Sequence, residues 1–278
     1  MPPDPRQTPL CRAVLVGVTG RMGLALLRAA PGFPQLIVTG AIASATSLAL
    51  GRDAGQLAGL PAANLTVTSD LPRALEQADV AIDFSDAAAT AGTLAACRAA
   101  GKPLLLGTTG FGETLEPELE AAAGEIALLV AANTSLGAAL LMALTRTAAK
   151  LLPASFDIDI LEMHHRSKRD APSGTALALG RAAAQARGIP PPLPPDALSR
   201  RSGPRPEGEI GFAIVRAGDR VGEHTVLFTG HGEALSLTHR TSDRVVFARG
   251  ALAAALWLVS RPPGRYDMED FIGVKTIT

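Results

Sequence analysis

The sequence predicts an α/β fold: a doubly wound parallel sheet, then a second, mixed α/β domain whose open sheet is rich in antiparallel strands. Three observations predict it. Apolar runs alternate with helix-like runs through the first half of the chain, a glycine-rich turn joins the first run to the first helix, and three strand-like runs with turn signals crowd the last third.

In chain order, the run AVLVG from Ala13 to Gly17 meets the glycine turn, and Arg21 to Ala30 carries helix formers with apolar spacing. Further strands are expected at Leu36–Ile42, Val80–Phe84, Pro103–Gly107 and Leu128–Ala132, with a helix from about Ala87 to Ala100. FDIDILEM, Phe156 to Met163, alternates apolar and acidic residues as a strand with one wet face would, and Pro172 to Arg187 reads as a helix. From Ile189 a segment holds too many prolines for regular structure and predicts a long loop over 189–209. Glu209–Arg216, Val221–Thr229 and Ala234–Thr241, joined by Gly218-Asp219 and Gly230 to Glu233, predict an antiparallel meander. The last helix, Val246 to Ser260, is expected to return to the first domain, which gives a division into 1–132 with 245–278, and 133–244. No internal repeat is visible.

Composition excludes several function classes. Of 278 residues 47% are hydrophobic, enough to bury one large core or two modest ones. Lys plus Arg equals Asp plus Glu at 26 each, so there is no net positive field to draw a nucleic acid or an anionic membrane surface. Cys11 and Cys97 make neither a disulfide framework nor a metal spacing and read as small buried hydrophobes in a reducing compartment. The start, MPPDPRQTPL, lacks a signal-peptide pattern and predicts a disordered lead-in, and the apolar stretch Ile126–Leu144 is broken by Asn133, Thr134 and Ser135. The expectation is a soluble, cytoplasmic protein.

Gly17-Val18-Thr19-Gly20-Arg21-Met22-Gly23 sets glycines where a strand ends and a helix starts, so that backbone amides can approach a pyrophosphate. A structural turn uses the same pattern; a second small loop, Gly107-Thr108-Thr109-Gly110, at another strand end argues for a shared ligand crevice. Asp83, ending a third strand, reads as a turn or cap residue rather than a cofactor ligand. The run Glu162 to Ala176 (EMHHRSKRDAPSGTA) gathers two histidines, three fixed cations and a helix start. Ser173 is suited to cap that helix while the amides of Gly174 and Thr175 receive a carboxylate, and His164 can supply a proton. A metal reading is poorer: two adjacent histidines beside cations, without a carboxylate pattern, make no convincing zinc site, so no metal is expected.

At this loop the chain resembles the 4-hydroxy-tetrahydrodipicolinate (dihydrodipicolinate) reductases, whose signature is similar to E-x-x-H-x-x-K-x-D-x-P-S-G-T-A. The likeness extends through GVTGRMG, GRDAGQLAG, GTTGF, AANTS, GEIGFAIVRAGDRVGEHTV, ALWL and YDMED, over almost the whole chain. The resemblance implies a Rossmann-like first domain, a second domain that binds a cyclic dicarboxylate and forms a homotetramer, and a hinge, placed near Asn133. It implies catalytic roles for His164 and Lys168 and substrate contacts at His165, Gly174 and Thr175, beside the cap Ser173. Cofactor contacts fall on Gly17, Val18, Thr19, Gly20, Arg21 and Met22, on Gly107, Thr108 and Thr109, and on Ala131, Ala132, Asn133 and Thr134. A different two-domain NAD(P)-dependent oxidoreductase would share the glycine loop but not the HHRSKRDAPSGTA run; a dinucleotide-sensing regulator would lack the proton donor and the carboxylate cradle.

Dinucleotide folds place an acid about 20 positions after the glycine loop to hold the ribose hydroxyls. Here the stretch Gly40 to Ser47 holds none, with Ala43 at that position and Ser44 beside it as a hydroxyl for a 2′-phosphate. NADPH is therefore expected as the preferred cofactor, with NADH possible.

Overall fold

The computed structural model describes residues 10–192 and 204–274, so the lead-in lies outside the described residues except at Leu10, as does the middle of the proline-rich loop. The chain forms two compact units: one takes in the residues up to Ser135 together with Val245–Phe271, the other Leu136–Arg244 with the residues from Ile272 on.

The first unit is built on strands β1 (Cys11–Val16), β2 (Leu36–Ile42), β3 (Val67–Thr68), β4 (Val80–Asp83), β5 (Leu104–Leu106), β6 (Ala127–Val130) and β11 (Gly264–Tyr266). They form one seven-stranded sheet in the order β11-β6-β5-β4-β1-β2-β3, every pair parallel. Parallel strands buried on both faces need continuous apolar sequence, and β4 (VAID) and β5 (LLL) are buried at every residue. Helices α1 (Arg21–Ala29), α2 (Ala54–Leu57), α3 (Leu71–Leu75), α4 (Thr90–Ala100) and α5 (Glu116–Ala123) lie along the crossovers. The strand order reverses between β1 and β4, the place where such sheets open a crevice at their carboxyl ends.

The second unit contains α6 (Leu136–Leu151), β7 (Asp157–His164), α7 (Gly174–Arg187), β8 (Ile210–Arg216), β9 (Gly222–Gly230) and β10 (Glu233–Thr241). The chain then returns: α8 (Val245–Leu258) packs against α1 and over β4, β5 and β6. Behind it, Trp257 meets Tyr266 and Phe271 edge-on at 5.4 and 5.8 Å, Phe271 belonging to the short α9 (Met268–Ile272).

The four-stranded sheet of the second unit runs β10-β9-β7-β8, which corrects the expected meander. β9 and β10 do form a hairpin, but β8 lies parallel to β7 at the far edge, with β7 between it and β9. Turn residues fix that the chain reverses; they do not fix which strand becomes the neighbour. One face is closed by α6 and α7, through Leu141, Ala149, Leu179 and Ala183 against Ile158, Ile160, Val226 and Phe228. On the other face Leu161, Ala213 and Val215 stay exposed in register.

β7 also corrects the expected polarity. Its burial alternates without a break, so Asp157 and Asp159 face outward and Ile158 and Ile160 inward, as read from the sequence. Two residues on, the chemistry inverts while the period holds: Leu161 faces out, and Glu162 and His164 take the buried face.

Candidate active site

In the first unit the predicted cofactor residues gather at the carboxyl ends of β1, β5 and β6, with Ser44 two positions past β2. Gly17 adopts φ +80°, and a Cβ there would stand 2.6 Å from the carbonyl oxygen of Phe84. A Cβ on Gly107 would enter the Phe84 ring at 2.2 Å, and one on Gly23 would meet Gly17 O at 2.4 Å. Three loops thus close on one another only because these side chains are missing, which fits the close backbone approach a dinucleotide needs. Gly17 and Val18 both donate to Ile42 O, and Val18 is wholly buried, so this residue shapes the turn. What the loop offers a ligand is the first turn of α1 at Arg21 and Met22, whose amides a helix cannot satisfy internally.

Asp83 fastens these loops. It is fully buried; Oδ1 accepts from Ser85 N at 2.7 Å and from the Thr108 hydroxyl at 3.3 Å, which bears out the turn role and extends it to the second loop. Burial raises its pKa above the usual carboxylate range. Thr134 donates to Phe247 O at 2.7 Å, and Ser135 N to Asn133 Oδ1 at 2.9 Å, so that loop is held by its own side chains. Ala43 is buried with its amide on Thr68 O, while Ser44 is exposed and within 3.2 Å of the Thr46 hydroxyl.

In the second unit the buried end of β7 carries Glu162 and His164. Register brings partners to them: His224 on β9 lies opposite Glu162, and Arg216 on β8 opposite His164. Glu162 Oε1 accepts from Arg216 Nη2 at 2.8 Å and from Ser173 N at 3.0 Å, and Oε2 stands 2.9 Å from His164 Nδ1. Burial alone would raise this carboxyl; contacts from His164, Ser173 and Arg216 outweigh it and hold the pKa at about 2. His224 meets the His164 ring edge-on at 5.0 Å, and burial, then His164, push its pKa down to about 4. A Cβ on Gly222 would lie 3.1 Å from His164 Nε2, so glycine lets the ring rest against β9.

Ser173 caps α7 as expected, its Oγ accepting from Ala176 N at 3.2 Å, and the same oxygen lies 3.0 Å from His224 Nε2. With its hydroxyl so engaged, Ser173 shapes the cradle at Gly174 and Thr175. Gly174 is exposed and has open space where a side chain would stand. Lys168 binds both oxygens of Asp170 at 2.8 and 2.7 Å, and Arg216 also donates to Asp170 O, tying that loop to the Glu162 carboxylate. His165 is half-buried, and its carbonyl accepts from Lys168 N. Glu162, His164 and His224 offer ligand atoms within 4.8 Å of one another, the spacing of a metal site. Arg216 and Ser173 N hold the Oε1 oxygen of Glu162, and the Ser173 hydroxyl lies 3.0 Å from His224 Nε2, while Oε2 faces the two histidines.

The family model for the carboxy-terminal part of dihydrodipicolinate reductase matches residues 137–272, and that for the amino-terminal part matches 11–134. The chain belongs to the dihydrodipicolinate reductase family. Its curated relatives include the 4-hydroxy-tetrahydrodipicolinate reductases of Alkalilimnicola ehrlichii, 48% identical over 95% of this chain and 99% of that one, and Halorhodospira halophila, 47% identical over 94% and 98%. Among solved structures, the dipicolinate-bound dihydrodipicolinate reductase from Paenisporosarcina sp. TG-14 superposes with a TM-score of 0.75 at 24% identity, over 94% of this chain and 99% of that one. An amine dehydrogenase from Mycobacterium smegmatis shares the fold at a TM-score of 0.65 and 15% identity.

Sequence reasoning for this reductase family member missed Glu162, Arg216 and His224 as site residues. The signal was present: strand alternation starting from Ile158 and Ile160 points Glu162 inward, and a charge on a buried face needs partners.

Proposed function

We propose that the chain reduces 4-hydroxy-tetrahydrodipicolinate to tetrahydrodipicolinate in the diaminopimelate route to lysine. The observation that carries this reading is the buried Glu162–His164 pair beside the start of α7, in a chain that belongs to the reductase family. A reduced pyridine dinucleotide supplies the hydride; with one proton and loss of water the substrate becomes the tetrahydro product, and the dinucleotide leaves oxidised. His164 delivers the proton, and Lys168 assists. Gly174 and Thr175, at the positive end of α7, receive a substrate carboxylate, with His165 alongside.

The first unit binds the dinucleotide through Gly17 to Met22, Gly107 to Thr109 and Ala131 to Thr134. NADPH is preferred over NADH: no carboxylate stands at Ala43 to hold ribose hydroxyls or repel a 2′-phosphate, and the exposed Ser44 offers it a hydroxyl. The second unit binds substrate and assembles a homotetramer, for which the uncovered apolar face at Leu161, Ala213 and Val215 gives support. Among the described residues no helix is long and apolar enough to cross a membrane, and both cysteines are buried thiols, in keeping with a cytoplasmic setting.

The test is anaerobic mixing with the aldol product of pyruvate and aspartate semialdehyde while NADPH absorbance is followed. Absorbance should fall with turnover, and His164→Ala should lower kcat by roughly 10² to 10⁴ with dinucleotide affinity unchanged. No oxidation of NADPH or NADH by the parent would overturn the reading.

A further inference from the structure

We propose that Glu162 is the positioning residue of this site: it fixes which nitrogen of His164 exchanges its proton and locks that ring to the start of α7. The inference rests on the reading of His164 as the acid. Glu162 is wholly buried, and one of its oxygens is taken by Arg216 and by Ser173 N. Only Oε2 remains, 2.9 Å from His164 Nδ1. An ionised carboxylate cannot donate, and a bare ring nitrogen this close to it would be repelled, so the approach favours a proton on Nδ1 and leaves Nε2 to give one up and take it back.

The second histidine is prevented from competing. Ser173 Oγ accepts from Ala176 N and lies 3.0 Å from His224 Nε2, so His224 is engaged at the cap of α7. Burial, and then the neighbouring His164, oppose a positive charge on His224. Of the two rings 5.0 Å apart, His164 makes the closer approach to the Glu162 carboxylate, 2.9 Å against 3.8 Å for His224. The groups that face this pair are Glu162 on its own strand, Arg216 from β8, His224 from β9 with His239 behind it on β10, and Lys168 paired with Asp170 from the loop. Glu162 is the one anion in contact with His164 among the described residues.

Ser173 joins the two tasks of the site. Its amide binds Glu162 and its hydroxyl caps α7, so the carboxylate that orients the acid also sets where the helix begins. A structural Glu–Arg pair would need neither connection.

The full chain is assayed as Glu162→Gln, Glu162→Asp and His164→Ala across pH, with NADPH affinity measured in parallel. Removing the anion lowers the proton affinity of His164, so the alkaline limb of kcat should move down by about one pH unit or more in Glu162→Gln, with NADPH affinity held. Glu162→Asp, which keeps the charge, should restore the limb. Should Glu162→Gln fail to fold, the parent labelled with nitrogen-15 histidine decides: neutral His164, assigned by the signal lost in His164→Ala, should carry its proton on Nδ1. A proton on Nε2, or a Glu162→Gln limb at the parental pH while His164→Ala is crippled, overturns the positioning role. A kcat of His164→Ala near that of the parent overturns instead the reading of His164 as the acid.

Discussion

The two units prepare for a ligand in opposite ways. In the first, the loops at the ends of β1, β4 and β5 come together because side chains are missing at Gly17, Gly23 and Gly107, and the groups presented are backbone. In the second, the end of β7 is filled with charge: a carboxylate, a guanidinium and two imidazoles under the strand surface, each held by another. A backbone cradle is indifferent to pH and vulnerable to volume. A buried ionic cluster tolerates volume at its rim and is vulnerable to any change in proton count.

The largest effect that could break this contrast is acid destabilisation of the second unit. An unfolded histidine titrates at 6.5, and His224 in the fold at about 4, because burial and then His164 oppose its charging. The fold therefore binds fewer protons in that window. Stability is full above pH 6.5 and should fall by up to roughly 3 kcal/mol as the pH drops to about 4. His224→Gln, which cannot titrate, should flatten that decline in urea unfolding measured at several pH values. An unchanged slope would place the acid sensitivity elsewhere.

Adding one methyl sharpens the contrast from the other side. Gly107→Ala forces a carbon into the Phe84 ring and should cost about 1 to 3 kcal/mol while weakening NADPH binding, whereas Gly174→Ala meets no atom within 4 Å and should change stability by under about 0.5 kcal/mol. Equal costs in thermal unfolding would deny that crowding distinguishes the two sites.

The smallest effect is in cofactor choice. Ala43→Glu should shift the ratio of kcat/KM for NADPH over NADH toward NADH by at least about tenfold, worth about 1.4 kcal/mol. Because the Cβ of residue 43 is buried, the new carboxylate must reach the surface from below. A parent that prefers NADH, with a ratio indifferent to the change, would put the adenosine ribose elsewhere.

What the sequence made legible follows the same division. The glycine loop, the β-α alternation and the capping role of Ser173 are local, and a few adjacent residues encode each one. β3 and β11, two and three residues long, are too short to show a period, and their place in the sheet depends on strands far along the chain. β8 beside β7 and His224 opposite Glu162 are pairings between distant segments, and local turn chemistry says nothing of them. Glu162 escapes a local reading for a different reason: polarity alone assigns an acid in an alternating strand to the wet face, whereas the period determines which way the side chain turns.

The sequence contains a single tryptophan and a single tyrosine, and both sit in the first unit, ring to ring, with the Arg261 guanidinium 4.9 Å from the Trp257 centroid. Intrinsic fluorescence therefore sees one half of the molecule. Light absorbed by Tyr266 passes to Trp257 while α8 and β11 stay together, and nothing in the second unit emits in that range. Circular dichroism counts the helices and strands of both. Followed side by side during denaturation, the two signals form a built-in test of whether the halves melt as one cooperative body or in turn.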